Sequence, residues 1–220
     1  GMVGSAVWRA LENKGYYNLI GKTSGELDLR NQQGVLDFYS TENPAVVIDA
    51  AARVGGILAN SDFPYQFLME NMQIQNNLID GALQSGIEKF IFLGSSCIYP
   101  KMAPQPLKEN YLLTDSLEPT NEWYAIAKIT GVKTCHAIRK QFNKDYVSLM
   151  PTNLYGYFDN FDLQTSHVLP AMLRKFHEAK LNDNAEVTLW GSGTPKREFL
   201  FIDDMAEAVV YALENELPEY

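Results

Sequence analysis

Short apolar runs alternate with longer amphipathic segments over the first 150 residues of the chain. Four runs are rich in β-branched and aromatic residues and have the length of buried strands: 16–20, 45–52, 90–94 and 146–150. Three segments between them carry apolar residues at helical spacing: 31–41, 62–83 and 122–142. Strands and helices that alternate in this way form a parallel sheet covered by helices. The pattern therefore predicts an α/β fold with a Rossmann-like, doubly wound parallel sheet.

The pattern changes after residue 156 to short helices and loops. The predicted elements there are a helix that opens at 166–170, a short strand at 187–190, a segment that returns to the sheet at 196–204, and a last helix at 204–215. The expected organisation has three parts: a Rossmann-like domain in 1–156, part of a smaller region in 157–196, and a return to the first domain in 197–220.

The chain opens with Gly1-x-x-Gly4 directly before a helical pattern. Glycines at this place in a βαβ unit let the backbone approach a pyrophosphate at the helix N-terminus. An ordinary helix start is the alternative interpretation, because a complete motif also has a preceding strand and a first glycine. If the first interpretation holds, the natural protein has a strand before Gly1, and we expect the chain to be truncated at both ends.

Composition excludes several classes of protein. The chain has 18 Lys and Arg against 27 Asp and Glu, a net charge of −9, which argues against non-specific binding of nucleic acid. No apolar run approaches the roughly 20 residues that a membrane-spanning helix needs, and no signal peptide is visible, so a cytoplasmic location is expected. The two cysteines, Cys97 and Cys135, form no metal-ligand pattern, and we expect neither a metal site nor a disulfide.

Candidate chemistry follows the strand at 90–94, where hydroxyl and thiol groups come directly after its carboxyl end. Tyr124 and Lys128 are four residues apart in the next predicted helix, which puts the phenol and the ammonium on one face. A neighbouring cation favours phenolate and would lower a pKa that is about 10 in isolation. The Tyr could then exchange a proton with a carbonyl or an alcohol while Ser95 holds the same oxygen. The pattern predicts a carbonyl–alcohol redox site, with a surface Tyr–Lys pair as the alternative.

Basic residues elsewhere suit phosphorylated ligands. Lys22 follows the predicted strand at 16–20 with no acid beside it, which favours NADP over NAD, although an exposed lysine in a turn would look the same. Lys175 and Arg197 lie near Trp190 in the chain's second part, where ion pairing and stacking would suit a phosphorylated, ring-bearing ligand. An ordinary solvated face is the alternative for these residues.

Several longer motifs carry a resemblance to a known family. They include Gly-Ser-Ser-Cys-Ile-Tyr-Pro at 94–100, Tyr-Ala-Ile-Ala-Lys at 124–128 and Pro-Thr-Asn-Leu-Tyr-Gly at 151–156. With these motifs the chain resembles the extended short-chain dehydrogenase/reductase superfamily over essentially its whole length. Within that superfamily it is similar to enzymes that epimerise and reduce GDP-4-keto-6-deoxymannose. The Tyr-x-x-x-Lys pair marks the superfamily alone, whereas the other two motifs are far more specific.

The resemblance implies roles for matching positions. Ser95, Tyr124 and Lys128 would form the reductase triad, and Cys97 and His167 the acid–base pair for epimerisation. The residues implied to bind NADP(H) are Gly1, Met2, Val3, Gly4, Lys22, Leu93, Gly94, Ser95, Ser96, Lys128, Pro151, Thr152, Asn153, Leu154 and His167. The residues implied to bind the GDP-sugar are Lys175, Trp190 and Arg197. Ser24 stands where some relatives carry an arginine for the 2′-phosphate, a departure from the family pattern.

A homodimer is expected through the helices at 62–83 and 122–142, as is common in the superfamily. The first carries a long apolar stripe, and the second carries Ala125, Ala127 and Gly131, whose small side chains permit close helix approach.

Two other functions remain open. Another nucleotide-sugar 4-epimerase or 4,6-dehydratase of the superfamily would not need both Cys97 and His167. A non-catalytic dinucleotide sensor would not need an intact triad.

Overall fold

The computed structural model describes residues 1–189 and 191–218. Its helices are α1 (Met2–Asn13), α2 (Gln32–Glu42), α3 (Ile57–Asp62), α4 (Pro64–Gln84), α5 (Glu122–Phe142), α6 (Val168–Leu181) and α7 (Ile202–Glu214). Its strands are β1 (Val46–Asp49), β2 (Lys89–Leu93), β3 (Asp145–Leu149), β4 (Asn153–Tyr155) and β5 (Phe199–Phe201). Short 3₁₀ helices occupy Ser96–Ile98 and Glu109–Tyr111. The predicted α/β class is confirmed.

The central sheet has three parallel strands in the order β1-β2-β3. The register pairs Val46 with Lys89 and Lys89 with Asp145, so all three strands end together at Asp49, Leu93 and Leu149. The predicted strand at 16–20 is wrong, because this segment joins no sheet in the described part of the chain. Apolar character alone does not make a strand without a neighbour to receive its backbone hydrogen bonds.

Helices cover both faces of this sheet. Alternate strand residues such as Ile91 and Val147 pack with α1 and α7 on one face. Phe90, Phe92 and Tyr146 face the other side, where they pack with α2, α4 and α5. The two-residue period of a strand divides the apolar residues between two cores, which explains why these strands read as continuous apolar runs.

Helix α5 lies very close to the sheet. Ala125 and Ala127 are buried, and a Cβ at Gly131 would come within 2.4 Å of the Phe92 ring. The prediction that these small residues face a second subunit is therefore corrected: all three are buried within their own chain, and Gly131 lets α5 approach the sheet. The same holds for much of the apolar stripe on α4, since Phe67 and Ile79 are buried inside the chain.

The segment 196–204, predicted to return to the central sheet, contains a strand that pairs outside that sheet. Its strand, β5, forms a separate two-stranded parallel sheet with β4, in which Asn153 pairs with Phe199. The helix after it, α7, does return to pack on the central sheet. Residues 187–189 form no strand, so that prediction is also wrong in its described part, and Trp190 lies outside the described residues. The division of the chain into 1–156, 157–196 and 197–220 stays a prediction.

Within the described ranges, no helix combines the length and apolar character required to cross a lipid bilayer.

Candidate functional site

The loops after β2 and β3 are joined where the central sheet ends. The Gly94 amide donates to the Leu149 carbonyl at 2.8 Å, and the Ser96 amide donates to the Pro151 carbonyl at 3.0 Å. Ser95 caps the short helix that follows, its hydroxyl accepting from the Cys97 amide at 3.3 Å. These bonds bring the two predicted cofactor-binding loops together at the carboxyl end of the sheet, where ligands bind in open α/β folds.

Helix α5 carries Tyr124 and Lys128, and it places Lys128 at the carboxyl end of β2. The Lys128 ammonium donates to the Leu93 carbonyl at 2.7 Å and lies 4.6 Å from the centre of the Phe92 ring. It is 5.9 Å from the centre of the Tyr124 ring, as expected for residues four apart on one helical face. Lys128 is only 4% exposed, so it is no surface residue. The alternative of a surface Tyr–Lys pair is thereby excluded.

The sequence predicts that the Lys128 charge lowers the pKa of the Tyr124 phenol, but burial has the larger effect. Burial raises the pKa of Tyr124, and the negative forms of Cys97 and Asp49 raise it further. Burial also lowers the pKa of Lys128 itself. The prediction of a lowered phenol pKa is therefore corrected for the protein without ligands: Tyr124 is a neutral phenol, which suits a proton donor.

Cys97 lies beside this pair. Burial raises the pKa of its thiol, whereas the Ser95 side chain and the Lys128 charge act in the opposite direction. Two of the predicted catalytic groups thus favour the thiolate form of a third, against the cost of desolvation.

His167 lies in a loop that is held by a different set of contacts. It immediately precedes α6, and the loop before it is docked by a hydrogen bond from the Gly56 amide to the Thr165 carbonyl at 3.1 Å. The side-chain amide of Asn60 holds the carbonyls of Gly55 and Gly56 at 2.9 and 3.1 Å. Desolvation lowers the pKa of His167, partly opposed by Asp159, so the imidazole is neutral near pH 7.

The predicted pyrophosphate site is the start of α1. Gly1 precedes the helix, its first turn carries no acidic residue, and a Cβ at Gly1 would meet no atom within 4 Å. A Cβ at Gly4 would meet only Ala50, at 3.8 Å, so this helix start lies beside the end of β1. A helix N-terminus that carries glycines and no acid, beside the end of β1, suits a pyrophosphate.

Lys22 is exposed near the carboxylate of Glu26. That carboxylate accepts from the amide and hydroxyl of Thr23 at 2.8 and 2.7 Å, and the Lys22 charge contributes to the lowering of its pKa. The sequence showed no acid immediately beside Lys22, but the turn brings one close. The Lys22 charge therefore also acts on a nearby carboxylate.

The predicted substrate residues lie further out. Arg197 is exposed and donates to the Lys196 carbonyl at 2.8 Å. The neighbouring Glu198 carbonyl accepts from Thr152 at 2.8 Å and from Asn153 at 2.9 Å, which ties Arg197 to the loop after β3. Lys175 donates to the Thr188 carbonyl at 3.2 Å. Trp190, the remaining predicted substrate residue, is outside the described residues.

Sequence reasoning missed two buried polar residues near the site. Asp49 ends β1 at 3% exposure, and Asn60 in α3 is 6% exposed. A single acid inside the apolar run 45–52 was the available signal for Asp49. Nothing in the pattern around Asn60 indicated that its amide would hold the glycine loop.

Comparison with known proteins gives consistent results. GDP-L-fucose synthase 1 of Arabidopsis thaliana is 58% identical over 98% of this chain and 67% of its own length. The GDP-L-fucose synthase of Escherichia coli strain K12 is 52% identical over 97% of this chain and 67% of its own length. A solved GDP-L-fucose synthetase from Naegleria fowleri, bound to NADP, is 29% identical with a TM-score of 0.85, covering 100% of this chain and 72% of its own.

The chain spans about two thirds of the length of the curated relatives it matches. These relatives confirm the predicted resemblance to GDP-L-fucose synthases. The family model for the NAD dependent epimerase/dehydratase family matches residues 1–219. Together with the site at the carboxyl end of a parallel sheet, this match shows that the chain belongs to the NAD dependent epimerase/dehydratase family.

Proposed function

We propose that this chain catalyses the NADPH-dependent epimerisation and reduction of GDP-4-keto-6-deoxy-D-mannose to GDP-L-fucose. The observation that carries the proposal is the cluster of Ser95, Cys97, Tyr124 and Lys128 at the carboxyl end of β2. Relatives that match nearly the whole chain are named for this activity, which supports both the predicted function and its assignment as an enzyme.

The enzyme uses NADP(H), as predicted. When bound, this cofactor supplies the hydride for reduction. We propose that the start of α1 holds its pyrophosphate and that the loops 93–96 and 151–154 line the rest of its site, since Ser96 and Pro151 join these loops at the sheet's end. Lys22 would meet the 2′-phosphate. The remaining proposed cofactor contacts are His167 and Lys128, and Lys128 already lies at the Leu93 carbonyl.

Epimerisation needs proton transfer at carbon. A 4-ketone acidifies the C–H bonds at sugar carbons 3 and 5, so a base can remove a proton to form an enolate, and inversion requires a proton delivered from the other face. A thiol and an imidazole have ordinary pKa values of about 8.5 and 6.5, close enough to neutral pH to act as such a pair. We assign this role to Cys97 and His167.

Reduction needs a proton at the carbonyl oxygen. Tyr124 is a neutral phenol because burial raises its pKa, so it can donate that proton, and the Lys128 charge stabilises the phenolate that remains. Ser95 would hold the same oxygen by a hydrogen bond. The substrate residues Lys175, Trp190 and Arg197 are proposed to bind the GDP-sugar by charge and stacking.

The alternatives are not favoured. A 4-epimerase or 4,6-dehydratase would not need both Cys97 and His167, and a non-catalytic sensor would not need the buried Tyr124–Lys128 arrangement. The assay is incubation of the protein with GDP-4-keto-6-deoxymannose and NADPH, followed by identification of the sugar. GDP-L-fucose and stoichiometric NADPH oxidation are expected, and an unchanged ketone or a product that retains the manno configuration at carbons 3 and 5 would refute the proposal.

A homodimer through α4 and α5 remains our proposal, on revised grounds. The small residues of α5 are buried within the chain, but these two helices also carry large apolar side chains that are more than 40% exposed: Tyr65, Trp123 and Phe142. Burial of such side chains against a second copy would remove apolar surface from water. Light scattering at micromolar concentration tests this, and a monomer would contradict it. The cytoplasmic location also stays a prediction.

A further inference from the structure

Asp49 is a buried acid that the proposed chemistry does not use. It ends β1, is 3% exposed, and pairs in register with Phe92 of β2. Paired residues on neighbouring strands direct their side chains to the same face of the sheet. Asp49 therefore faces α5, on the side where Phe92 packs. Its Oδ1 accepts from the Ala51 amide at 3.0 Å.

The side chain of Lys128, which belongs to α5, lies beside Phe92 as well. Its ammonium lies 4.6 Å from the centre of the Phe92 ring and donates to the carbonyl of Leu93, the residue after Phe92. Phe92 is thus the common neighbour of the carboxylate and the ammonium. A buried ammonium is costly unless an opposite charge lies near it.

Few other titratable groups face this pair. Cys97 from the loop after β2 and Tyr124 from α5 interact with Lys128, and both are neutral in their ordinary states. Tyr39 of α2 and Cys135 of α5 interact with Asp49. Asp49 is the carboxylate that interacts with Lys128 among the described residues.

We propose that Asp49 is a positioning residue for Lys128: its carboxylate keeps the buried ammonium charged and held at the Leu93 carbonyl. The inference rests on the proposed function for its catalytic consequence, because a charged Lys128 is what stabilises the Tyr124 phenolate after proton transfer. The effect of Asp49 on the charge of Lys128 involves only these two side chains and does not depend on the proposed function.

The direction of the effect follows from burial and charge. Burial lowers the pKa of Lys128, and Asp49 opposes that change. Burial likewise raises the pKa of Asp49, and Lys128 opposes it. Removing the Asp49 charge leaves desolvation of Lys128 less compensated, so the Lys128 pKa should fall. Lys128 would then lose its proton at a lower pH.

The test is Asp49→Asn, which removes the charge but keeps an oxygen to accept from the Ala51 amide. Protein labelled with ¹³C-lysine is titrated by NMR without ligands, and the Lys128 signal is assigned by its loss in Lys128→Met. We expect the Lys128 pKa to fall by about one unit or more, which is a roughly tenfold change in the ratio of charged to neutral Lys128 at a given pH. The exposed Asp80→Asn is the matched control and should change nothing.

Activity provides the second readout. In Asp49→Asn, NADPH oxidation with the keto sugar should decline at a lower pH than in the wild type, because the Lys128 charge is lost earlier as pH rises. If the wild type oxidises no NADPH with this sugar, the proposed function fails, while the NMR titration still decides the role of Asp49. An unchanged or raised Lys128 pKa in folded Asp49→Asn overturns the inference. If that variant does not fold, Asp49→Ser, whose hydroxyl can accept from Ala51, is titrated in its place with the same two outcomes.

Discussion

Two parts of the candidate site are held in place in different ways. The reductase end comprises Ser95, Cys97, Tyr124 and Lys128, and the substrate side comprises His167 and Arg197. Lys128 is buried on α5, and Cys97 is tied to Ser95 in the loop that directly follows β2. His167, by contrast, is partly desolvated but still exposed to solvent before α6, and Arg197 is exposed before β5. The first group is held by a packed sheet and helix, the second by loops that reach the sheet through a few hydrogen bonds.

The difference separates residues fixed by the packed core from residues fixed by loop contacts. Groups on packed regular elements keep their geometry, because any displacement would disturb the core. Loops docked by one or two bonds, such as that from Gly56 to Thr165, can change without loss of the fold. We therefore expect substitutions in the two regions to affect different steps, and each prediction below tests that division.

Removal of the Tyr124 hydroxyl should have the largest effect. Tyr124→Phe loses the proton donor for reduction and should slow NADPH oxidation by about 10²–10⁴-fold. Solvent deuterium should still enter carbon 3 or 5, because enolisation needs only the ketone and a base. Cys97→Ser is the matched contrast: its hydroxyl has a far higher pKa, so deuterium exchange should collapse. Proton NMR in deuterated buffer measures both, and equal loss of exchange in both folded variants would break the comparison.

Filling the space between α5 and the sheet should destabilise the fold. A Cβ at Gly131 would lie 2.4–3.0 Å from three atoms of the Phe92 ring, so Gly131→Ala should cost about 1–3 kcal/mol in the free energy of unfolding. Gly34→Ala is the control, since its Cβ would meet Asn31 at an ordinary 3.5 Å and a helix gains about 0.5–1 kcal/mol from such a change. Urea denaturation measures both. Equal stability of Gly131→Ala and wild type would contradict the tight packing of the reductase end.

Moving the His167 loop should slow epimerisation more than reduction. A Cβ at Gly56 would lie 2.7 Å from the Ser166 carbonyl, so Gly56→Ala should displace the loop that carries His167. Misplacement of about 1 Å can cost up to about 100-fold, and we expect roughly tenfold slower deuterium exchange here. Gly25→Ala, whose Cβ would have only Thr23 at 4.0 Å, serves as the control. Undiminished exchange in Gly56→Ala would show that this contact does not position His167.

The smallest effect is expected from removal of Lys22, which is proposed to bind the 2′-phosphate of the cofactor. Lys22→Ala should reduce the preference for NADPH over NADH by about fivefold, or roughly 1 kcal/mol, since Lys22 is exposed and already interacts with Glu26. The measurement is kcat/KM for each cofactor, with the exposed Lys180→Ala as control. An unchanged preference would remove Lys22 from the cofactor site.

The local pattern was sufficient for most of the α/β framework. Apolar runs and helical spacing predicted β1, β2, β3 and the helices around them. A helix with one buried face has apolar residues at helical spacing, and a fully buried strand is a continuous apolar run. The same spacing placed Tyr124 and Lys128 on one face, as the structure confirms. The motif that includes Cys97 likewise lay where a strand was expected to end.

Tertiary structure alone decided the rest. The segment 16–20 has the composition of a strand but no partner among the described residues, and β5 pairs with β4 rather than with the central sheet. Pairing depends on which backbone groups meet, and no single segment encodes its neighbour. The pKa of Tyr124 is raised rather than lowered because desolvation outweighs the Lys128 charge. Desolvation depends on everything packed around the phenol, which the four-residue spacing does not contain.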